Sequence, residues 1–275
     1  MRTLIVGGSG FLGRELSQQA SASGHAVTAT FATRAHAIPG IRWVPMDLRH
    51  GEEIAQVLKE TEPDLVINAA YRQTDWAATA DGAIRLAMAA TRHGSRLVHV
   101  SSDAVFSGAE VRYDETALPD PITPYGAAKA AAETAIRLLA PSAVIARTSL
   151  IIGDGSSAHE QFVHDLASGR REGVLFTDDI RCPVHVADLA AAILELATSR
   201  HAGVCHLAGS DAVNRHELGV LIAHRDGLDP CALTAGRRIG SGFPGALDVR
   251  LDSTRTQRAL RTTLRGARDF LARER

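Results

Sequence analysis

Three regularly spaced glycines, placed directly after a short apolar run, constrain the fold of this chain more than any other feature. Residues 3–6 form the apolar run, a Gly-x-x-Gly-x-x-Gly motif follows, and a helical pattern begins within it. In such a unit the glycines permit a tight turn, a close approach of pyrophosphate to the backbone, and close packing of helix on strand. The motif predicts a dinucleotide-binding loop at the start of a helix. The expected cofactor contacts are Gly7, Gly10, Phe11, Leu12 and Gly13.

Short apolar runs alternate with longer Ala-rich stretches through the first half of the chain. The runs are rich in Val, Ile and Leu, which is typical of strands, and they cover residues 3–6, 26–30, 41–44, 64–68, 96–100 and 143–146. Helices are predicted at residues 10–23, 52–59, 81–92 and 124–139. Because the strands are apolar throughout, we predict an α/β fold in which helices cover both faces of a doubly wound parallel Rossmann sheet.

The second half has a weaker rhythm and is predicted to form a small C-terminal substrate-binding lobe. Helices are expected at residues 160–167, 186–198 and 215–225, short strands at 174–176 and 204–207, and a further helix over the Arg-rich tail 253–275. We assign residues 1–152, with part of 170–205, to the NADP-binding Rossmann domain and residues 153–275 mainly to the lobe. The lobe is expected to cover the carboxyl edge of the sheet.

The composition excludes several classes of protein. With 30 basic and 31 acidic side chains the formal net charge is −1, so no basic field favours nucleic acid. No apolar run reaches the roughly 18 residues of a membrane helix. The cysteines (Cys182, Cys205 and Cys231) lack the spacing of a disulfide framework or a zinc site, and no metal site is predicted. We therefore expect a cytoplasmic protein.

The end of the second predicted strand should select the cofactor. In NAD-binding proteins an acidic residue roughly 20 residues after the glycines holds the ribose 2′-hydroxyl. Residues 28–34 contain no Asp or Glu, whereas Thr30, Thr33 and Arg34 suit a 2′-phosphate. NADP(H) is therefore favoured over NAD(H).

Further cofactor contacts are expected where the third and fourth strands end. Asp47, which Leu48 follows, is placed either to receive the adenine amino group or to cap the next helix. Ala69 and Ala70 close the fourth strand, where small side chains let the backbone lie against the cofactor, and Tyr71 comes next.

Tyr125 and Lys129 stand four residues apart at the start of a predicted helix, so they share one face. The chain has three tyrosines, and of its 30 basic residues only Lys59 and Lys129 are lysines. An ammonium beside a phenol is expected to lower the pKa of the phenol from about 10, which makes Tyr125 a proton donor near neutral pH. A site that needs a compact ammonium cannot accept arginine.

Four segments together resemble the extended short-chain dehydrogenase/reductases. They are Gly7-x-x-Gly10-x-x-Gly13, Asn68-Ala69-Ala70, Ser101-Ser102-Asp103 and Tyr125-x-x-x-Lys129. Residues 102–106 are similar to the Ser/Thr-Asp-Tyr-Val-Phe segment of the dTDP-4-dehydrorhamnose reductase group in that superfamily. The resemblance implies that Tyr125 is the general acid and that Lys129 tunes it and binds the nicotinamide ribose. It also implies that Ser102 hydrogen-bonds the reacting oxygen.

The same resemblance implies a reaction and a substrate class. NADPH would reduce a keto group of a nucleotide-linked sugar, expected to be a dTDP-4-keto-6-deoxy sugar, or of a related carbonyl compound. Substrate recognition is implied for Arg72, Asp103, Phe106, Arg181 and His185. Arg181 is equally suited to a salt bridge within the lobe, and a structural role is slightly favoured for His185.

Two other functions are open at this point. An epimerase or dehydratase that retains NAD is disfavoured by the missing acid after the second strand and, for a dehydratase, by Ala104 after Asp103. A non-catalytic NADP-binding regulatory subunit or sensor is disfavoured by the intact set of Ser102, Tyr125 and Lys129. A homodimer is an expectation from the superfamily.

Overall fold

Seven parallel strands form the central sheet, as the alternation predicts. The computed structural model describes residues 1–272. The strands are β1 (Arg2–Val6), β2 (Ala26–Phe31), β3 (Arg42–Pro45), β4 (Leu65–Asn68), β5 (Arg96–Ser102), β6 (Val144–Thr148) and β7 (Gly203–Leu207). Their order across the sheet is β3-β2-β1-β4-β5-β6-β7.

Helices cover both faces of the sheet and build the lobe. They are α1 (Phe11–Ala22), α2 (Gly51–Thr61), α3 (Gly82–His93), α4 (Pro124–Leu139), α5 (Ala158–Ala167), α6 (Val186–Thr198), α7 (Arg215–Asp226), α8 (Thr254–Ala259) and α9 (Ala267–Phe270). Short turns add a π-helical segment (Ala77–Asp81) and 3₁₀ segments (Asp103–Val105 and Pro230–Ala232). Ile5 packs with α1 and α6, whereas Leu4 and Val6 pack with α2, α3 and α4. Burial on both faces is why the strands are continuously apolar.

The chain reverses its direction across the sheet at β1, which pairs with β2 on one side and β4 on the other. The loops after β1 and β4 therefore leave toward opposite faces and open a crevice at the carboxyl ends of these strands. In open α/β sheets this crevice is where ligands bind.

Two elements of the second half complete the Rossmann layers. α6 shares the core of α1, and β7 extends the sheet beside β6. The lobe has its own core between α5, α7 and α9. Its short strands form four pairs: Ile151–Ile152 with Val184–His185, Leu175–Phe176 with Ala235–Gly236, Ile180–Arg181 with Val213–Asn214, and Arg112–Tyr113 with Arg250–Leu251.

The prediction of one helix over the tail is wrong. Two short helices, α8 and α9, flank an irregular segment that runs along α6. In this segment Thr262 N donates to Glu195 (3.0 Å) and the Arg265 guanidinium pairs with Asp188 (2.9 Å). These long-range contacts replace local helical hydrogen bonds. Residues 273–275 of the predicted helix lie outside the described residues.

Within residues 1–272, no helix has the length and apolar character needed to cross a membrane.

Candidate functional site

A cavity of about 740 Å³ opens at the crevice and continues into the lobe. Its sheet side is formed by the glycine loop and by the segments that follow β4, β5 and β6. Its lobe side includes polar side chains from several short elements: His159, Arg181, Arg215 and Arg238.

The glycine loop is shaped by close contacts that only glycine allows. Gly7 has a φ of +79°, and a Cβ atom there would lie 2.7 Å from Ala70 Cα. A Cβ atom on Gly13 would lie 2.1 Å from the Gly7 carbonyl oxygen. No side chain caps the start of α1, so the first N–H groups of this helix are open to an anion.

The start of α4 is held tightly against the turn after β5. Thr123 caps the helix, because its hydroxyl accepts from Gly126 N (3.1 Å), and Pro124 occupies the first turn. A Cβ atom on Gly126 would lie 2.0 Å from the Ala104 carbonyl oxygen. This close approach brings Tyr125 to the segment that carries Ser102.

Lys129 is buried one turn further along α4. Only 2% of its surface is exposed, and its Nζ atom donates to the Val100 carbonyl oxygen of β5 (2.9 Å). Burial lowers the pKa of Lys129 to about 8, while the negative charge of Glu133 acts in the opposite direction.

The expected lowering of the Tyr125 pKa by Lys129 is wrong for this structure. Burial raises the pKa of Tyr125, and the nearby Ser102 hydroxyl opposes that effect only in part. Because the Lys129 ammonium donates to a backbone carbonyl, it does not offset the loss of water around the phenol. The phenol therefore keeps its proton at neutral pH.

The ring of Tyr71 lies close to both Tyr125 and Lys129. Its ring centroid is 5.7 Å from that of Tyr125 and 5.4 Å from the Lys129 ammonium, within the range of a cation–π contact. The side chain is 56% exposed, so it forms part of the cavity mouth.

Ser102 reaches the cavity from the end of β5. Its hydroxyl donates to Asp103 Oδ1 (3.2 Å) and accepts from Ala104 N (3.2 Å). The other Asp103 oxygen accepts from the Ser149 hydroxyl (2.7 Å). These contacts orient Ser102 toward the same space as the Tyr125 phenol.

Three arginines surround one buried carboxylate at the lobe side of the cavity. Asp179 lies 2.9 Å from Arg181 Nη1, 3.2 Å from Arg215 Nε and 3.0 Å from Arg238 Nη1. Arg181 is also 3.6 Å from Asp103, so three guanidinium groups face two carboxylates. The excess positive charge suits an anionic ligand.

A profile of the RmlD substrate binding domain family matches residues 1–239. A dTDP-4-dehydrorhamnose reductase of Mycobacterium tuberculosis is 33% identical over 248 residues, which cover 83% of this chain and 77% of that protein. The chain belongs to the RmlD substrate binding domain family. It is an NAD(P)-dependent oxidoreductase of the extended short-chain dehydrogenase/reductase type, as predicted.

Other relatives have more varied names. The spore coat polysaccharide biosynthesis protein SpsK of Bacillus subtilis is 29% identical over 85% of this chain and 82% of its own. Methionine adenosyltransferase 2 subunit beta of Rattus norvegicus is 26% identical over 81% of this chain and 71% of its own. A hypothetical dTDP-4-dehydrorhamnose reductase from Sulfolobus tokodaii superposes with a TM-score of 0.83 at 29% identity, over 96% of this chain and 97% of its own.

The structure places most of the predicted residues of this RmlD-family protein at the cavity. Those that line it are Gly10, Phe11, Leu12, Gly13, Ala69, Tyr71, Ser102, Asp103, Phe106, Tyr125, Lys129 and Arg181. Gly7 and Ala70 lie just behind it, in contact with each other.

Two of the remaining cofactor predictions, Thr30 and Leu48, need correction, and for Asp47 one of the two alternatives is excluded. Thr30 is 1% exposed and its hydroxyl accepts from Gly7 N (3.1 Å), so it supports the glycine turn instead of a phosphate. Asp47 does not cap α2, because its carboxylate binds Arg49, which lowers the pKa of Asp47 to about 2. Leu48 is buried against Gly82. Thr33 and Arg34 are exposed at the end of β2, as a contact with a 2′-phosphate requires.

Of the predicted substrate contacts, Arg72 needs correction, and His185 has the structural role that the sequence slightly favours. Arg72 is exposed outside the cavity wall, where its backbone N–H donates to Thr79. His185 caps α6 and its Nε2 atom is 3.3 Å from Asp154, also away from the cavity. Phe106 lines the cavity with little exposed surface (1%), and its ring stacks on Tyr113. For Arg181 the structure shows the salt bridge within the lobe.

Two groups of residues at the site were not predicted from the sequence. Glu133 lies on the face of α4 that carries Tyr125 and Lys129, and its spacing of four from Lys129 was an available signal. Arg215 and Arg238 reach Asp179 only through the strand pairs of the lobe, for which the sequence has no local pattern.

Proposed function

We propose that this protein uses NADPH to reduce the keto group of a nucleotide-linked sugar, most specifically a dTDP-4-keto-6-deoxy sugar. The observation that carries the proposal is that Ser102, Tyr125 and Lys129 line one cavity, between the glycine loop and the arginines of the lobe. The names of the reductase relatives support the same substrate class.

The cavity fits a nicotinamide dinucleotide. The open N–H groups at the start of α1 would hold the pyrophosphate, and the absence of a side chain at Gly10 lets it approach the backbone. Lys129 would donate to the ribose next to the nicotinamide. When bound, the reduced nicotinamide supplies the hydride.

Tyr125 would act as the proton donor. The phenol is protonated at neutral pH and lies at the cavity, so its proton is available for the oxygen of the reduced keto group. Ser102, oriented by Asp103, would hydrogen-bond the same oxygen and stabilise the charge that develops on it.

The preference for NADPH is proposed from the end of β2. One solved neighbour, from Bacillus anthracis, is a complex with NADP, and another, from Bordetella bronchiseptica, is a complex with NAD. At 23% identity each shows the fold alone. In this chain the exposed Arg34 and the absence of an acid in residues 28–34 favour a 2′-phosphate.

The arginines of the lobe are proposed to hold the diphosphate of the substrate. Arg215 and Arg238 face the cavity and share Asp179 as their counter-ion, which leaves positive charge for a ligand. Burial and the Arg215 charge lower the pKa of His159 to about 4, so this cavity residue adds a neutral imidazole.

A panel of carbonyl substrates tests the proposal. NADPH consumption is followed with a dTDP-4-keto-6-deoxy sugar, the corresponding free sugar and simple ketones. Rapid consumption with the nucleotide-linked sugar alone is expected. NADPH binding without reduction of any carbonyl would contradict the proposal and favour a non-catalytic subunit; the rat relative is named as subunit beta of an adenosyltransferase. The cytoplasmic location and the homodimer stay predictions from the sequence.

A further inference from the structure

A buried ion pair lies directly behind the proposed catalytic residues. Arg147 of β6 binds Glu133 of α4 with two groups: Nε is 3.1 Å from each carboxylate oxygen and Nη2 is 2.7 Å from Oε2. The Ser101 hydroxyl donates to Glu133 Oε1 (2.5 Å). Neither charged side chain is more than 2% exposed. Four contacts thus fix the Glu133 carboxylate in one place.

This network adjoins the catalytic residues on two sides. Glu133 follows Lys129 by one helical turn, so the two side chains share a face of α4. Ser101 precedes Ser102 on β5, and Ser101 and Arg147 are partners across the strands. A change in the ion pair therefore alters the electrostatic environment of the Lys129 ammonium, and it can move Ser102 through the backbone of β5.

Few charged groups face the Lys129 ammonium. From its own helix they are Tyr125 and Glu133, from β5 His99, and from the loop after β4 the ring of Tyr71. Burial and the Lys129 charge hold the pKa of His99 well below its usual value, so this imidazole is neutral. Among these described groups, Glu133 alone is negatively charged at neutral pH.

We propose that Glu133 is a positioning residue that keeps Lys129 in its ammonium form, and that Arg147 and Ser101 hold the Glu133 carboxylate in place for this purpose. The proposal rests on the proposed function for the role of Lys129 itself. It explains why a buried charge pair is present behind the site, where a pair of apolar side chains would also pack.

The charge state of Lys129 is finely balanced. Its pKa of about 8 leaves the ammonium intact at neutral pH, and it loses its proton as the pH rises through that value. An opposite charge nearby shifts a pKa by about one to three units. Without the Glu133 carboxylate, and with the Arg147 cation left behind, Lys129 would lose its proton at a lower pH, closer to neutral.

The chain offers a direct measurement, because Lys59 and Lys129 are its only lysines. Lysine labelled with ¹³C at Cε gives two NMR signals in the intact protein, and Lys59→Arg assigns them. Lys59 is exposed on α2 and serves as an internal reference. A pH titration of the second signal reports the ionisation of Lys129 without any need for turnover.

Three variants make the expected result specific. Glu133→Gln should move the Lys129 titration down by about one pH unit or more. Arg147→Met should move it up, because the carboxylate loses its cation. The double variant Glu133→Gln/Arg147→Met should move it down by less than Glu133→Gln does. The pH above which NADPH affinity falls should shift in the same order among these variants. Glu60→Gln, an exposed change on α2, is the control and should shift neither this pH nor the Lys129 titration.

An unchanged Lys129 titration in Glu133→Gln would overturn the proposal. If neither single variant folds, the uncharged double variant decides, since it must still titrate below the wild type. A shifted titration without reduction of any carbonyl would leave the network intact and reject the proposed function. Reduction of the sugar substrate without a shifted Lys129 titration would support the proposed function and reject the role of Glu133.

Discussion

Gly126→Ala should separate the proposed catalytic residues while the protein stays folded. A methyl group there would meet the Ala104 carbonyl oxygen at 2.0 Å, more than 1 Å inside the 3.4 Å at which ordinary contact begins. Gly126 lies between Tyr125 and Lys129 on α4, and Ala104 lies in the turn after Ser102. The added methyl group must therefore push the two halves of the catalytic set apart.

The size of the effect follows from this displacement. A misplacement of about 1 Å in reacting groups costs about 10²-fold in rate, so kcat/KM should fall about 100-fold. Overpacking costs about 1–3 kcal/mol of stability, which outweighs the gain of about 1 kcal/mol from alanine in a helix. At Gly51, a Cβ atom would make an ordinary 3.6 Å contact with Arg85, so Gly51→Ala is the matched control.

Steady-state kinetics with the sugar substrate and a thermal melt of both variants provide the assay. Gly51→Ala should match the wild type in kcat/KM and melt at the same temperature or slightly above it. A folded Gly126→Ala variant with wild-type kcat/KM would refute the reasoning, because α4 and the turn after β5 would then tolerate separation.

Three further changes test other parts of the site. Arg34→Ala should reduce the preference for NADPH over NADH about tenfold, measured by cofactor fluorescence, whereas an equal loss for both cofactors would contradict the assignment. Lys129→Arg should abolish turnover and weaken NADPH binding, because a guanidinium does not fit a buried ammonium site; wild-type kinetics would reject this role. Arg215→Gln should raise KM for the nucleotide-linked sugar at least about tenfold and leave the affinity for NADPH unchanged; equal losses in both would contradict a diphosphate contact.

Local patterns were sufficient for the sheet, the glycine loop and the placement of Tyr125 and Lys129 on one face of α4. Gly7 needs a left-handed φ and Gly13 a missing Cβ atom, and both needs are visible as glycines next to a strand. The spacing of Tyr125 and Lys129 places them on one helical face whatever the rest of the chain does. The apolar pattern of the first half is likewise local, so it predicts the helix and strand positions there.

Long-range contacts decided what the sequence could not predict. Thr30 is turned inward by Gly7, a residue 23 positions away, and His185 is paired with Asp154, a residue 31 positions away. Arg181 forms an ion pair with Asp179 and donates hydrogen bonds to three backbone carbonyl groups. The pKa of Tyr125 depends on burial by elements from several parts of the chain, so the helical spacing alone predicted its direction wrongly.

Tyr125→Phe tests the central claim most directly. The substitution keeps the ring and removes the phenolic proton, so NADPH affinity should stay within about twofold, while kcat on the nucleotide-linked keto sugar should fall by about 10² or more. Single-turnover measurement of NADPH oxidation at saturating substrate, beside the wild type, separates the chemical step from binding. A loss of this size with unchanged NADPH binding is the predicted result. Undiminished turnover would remove Tyr125 from the reaction and contradict the account.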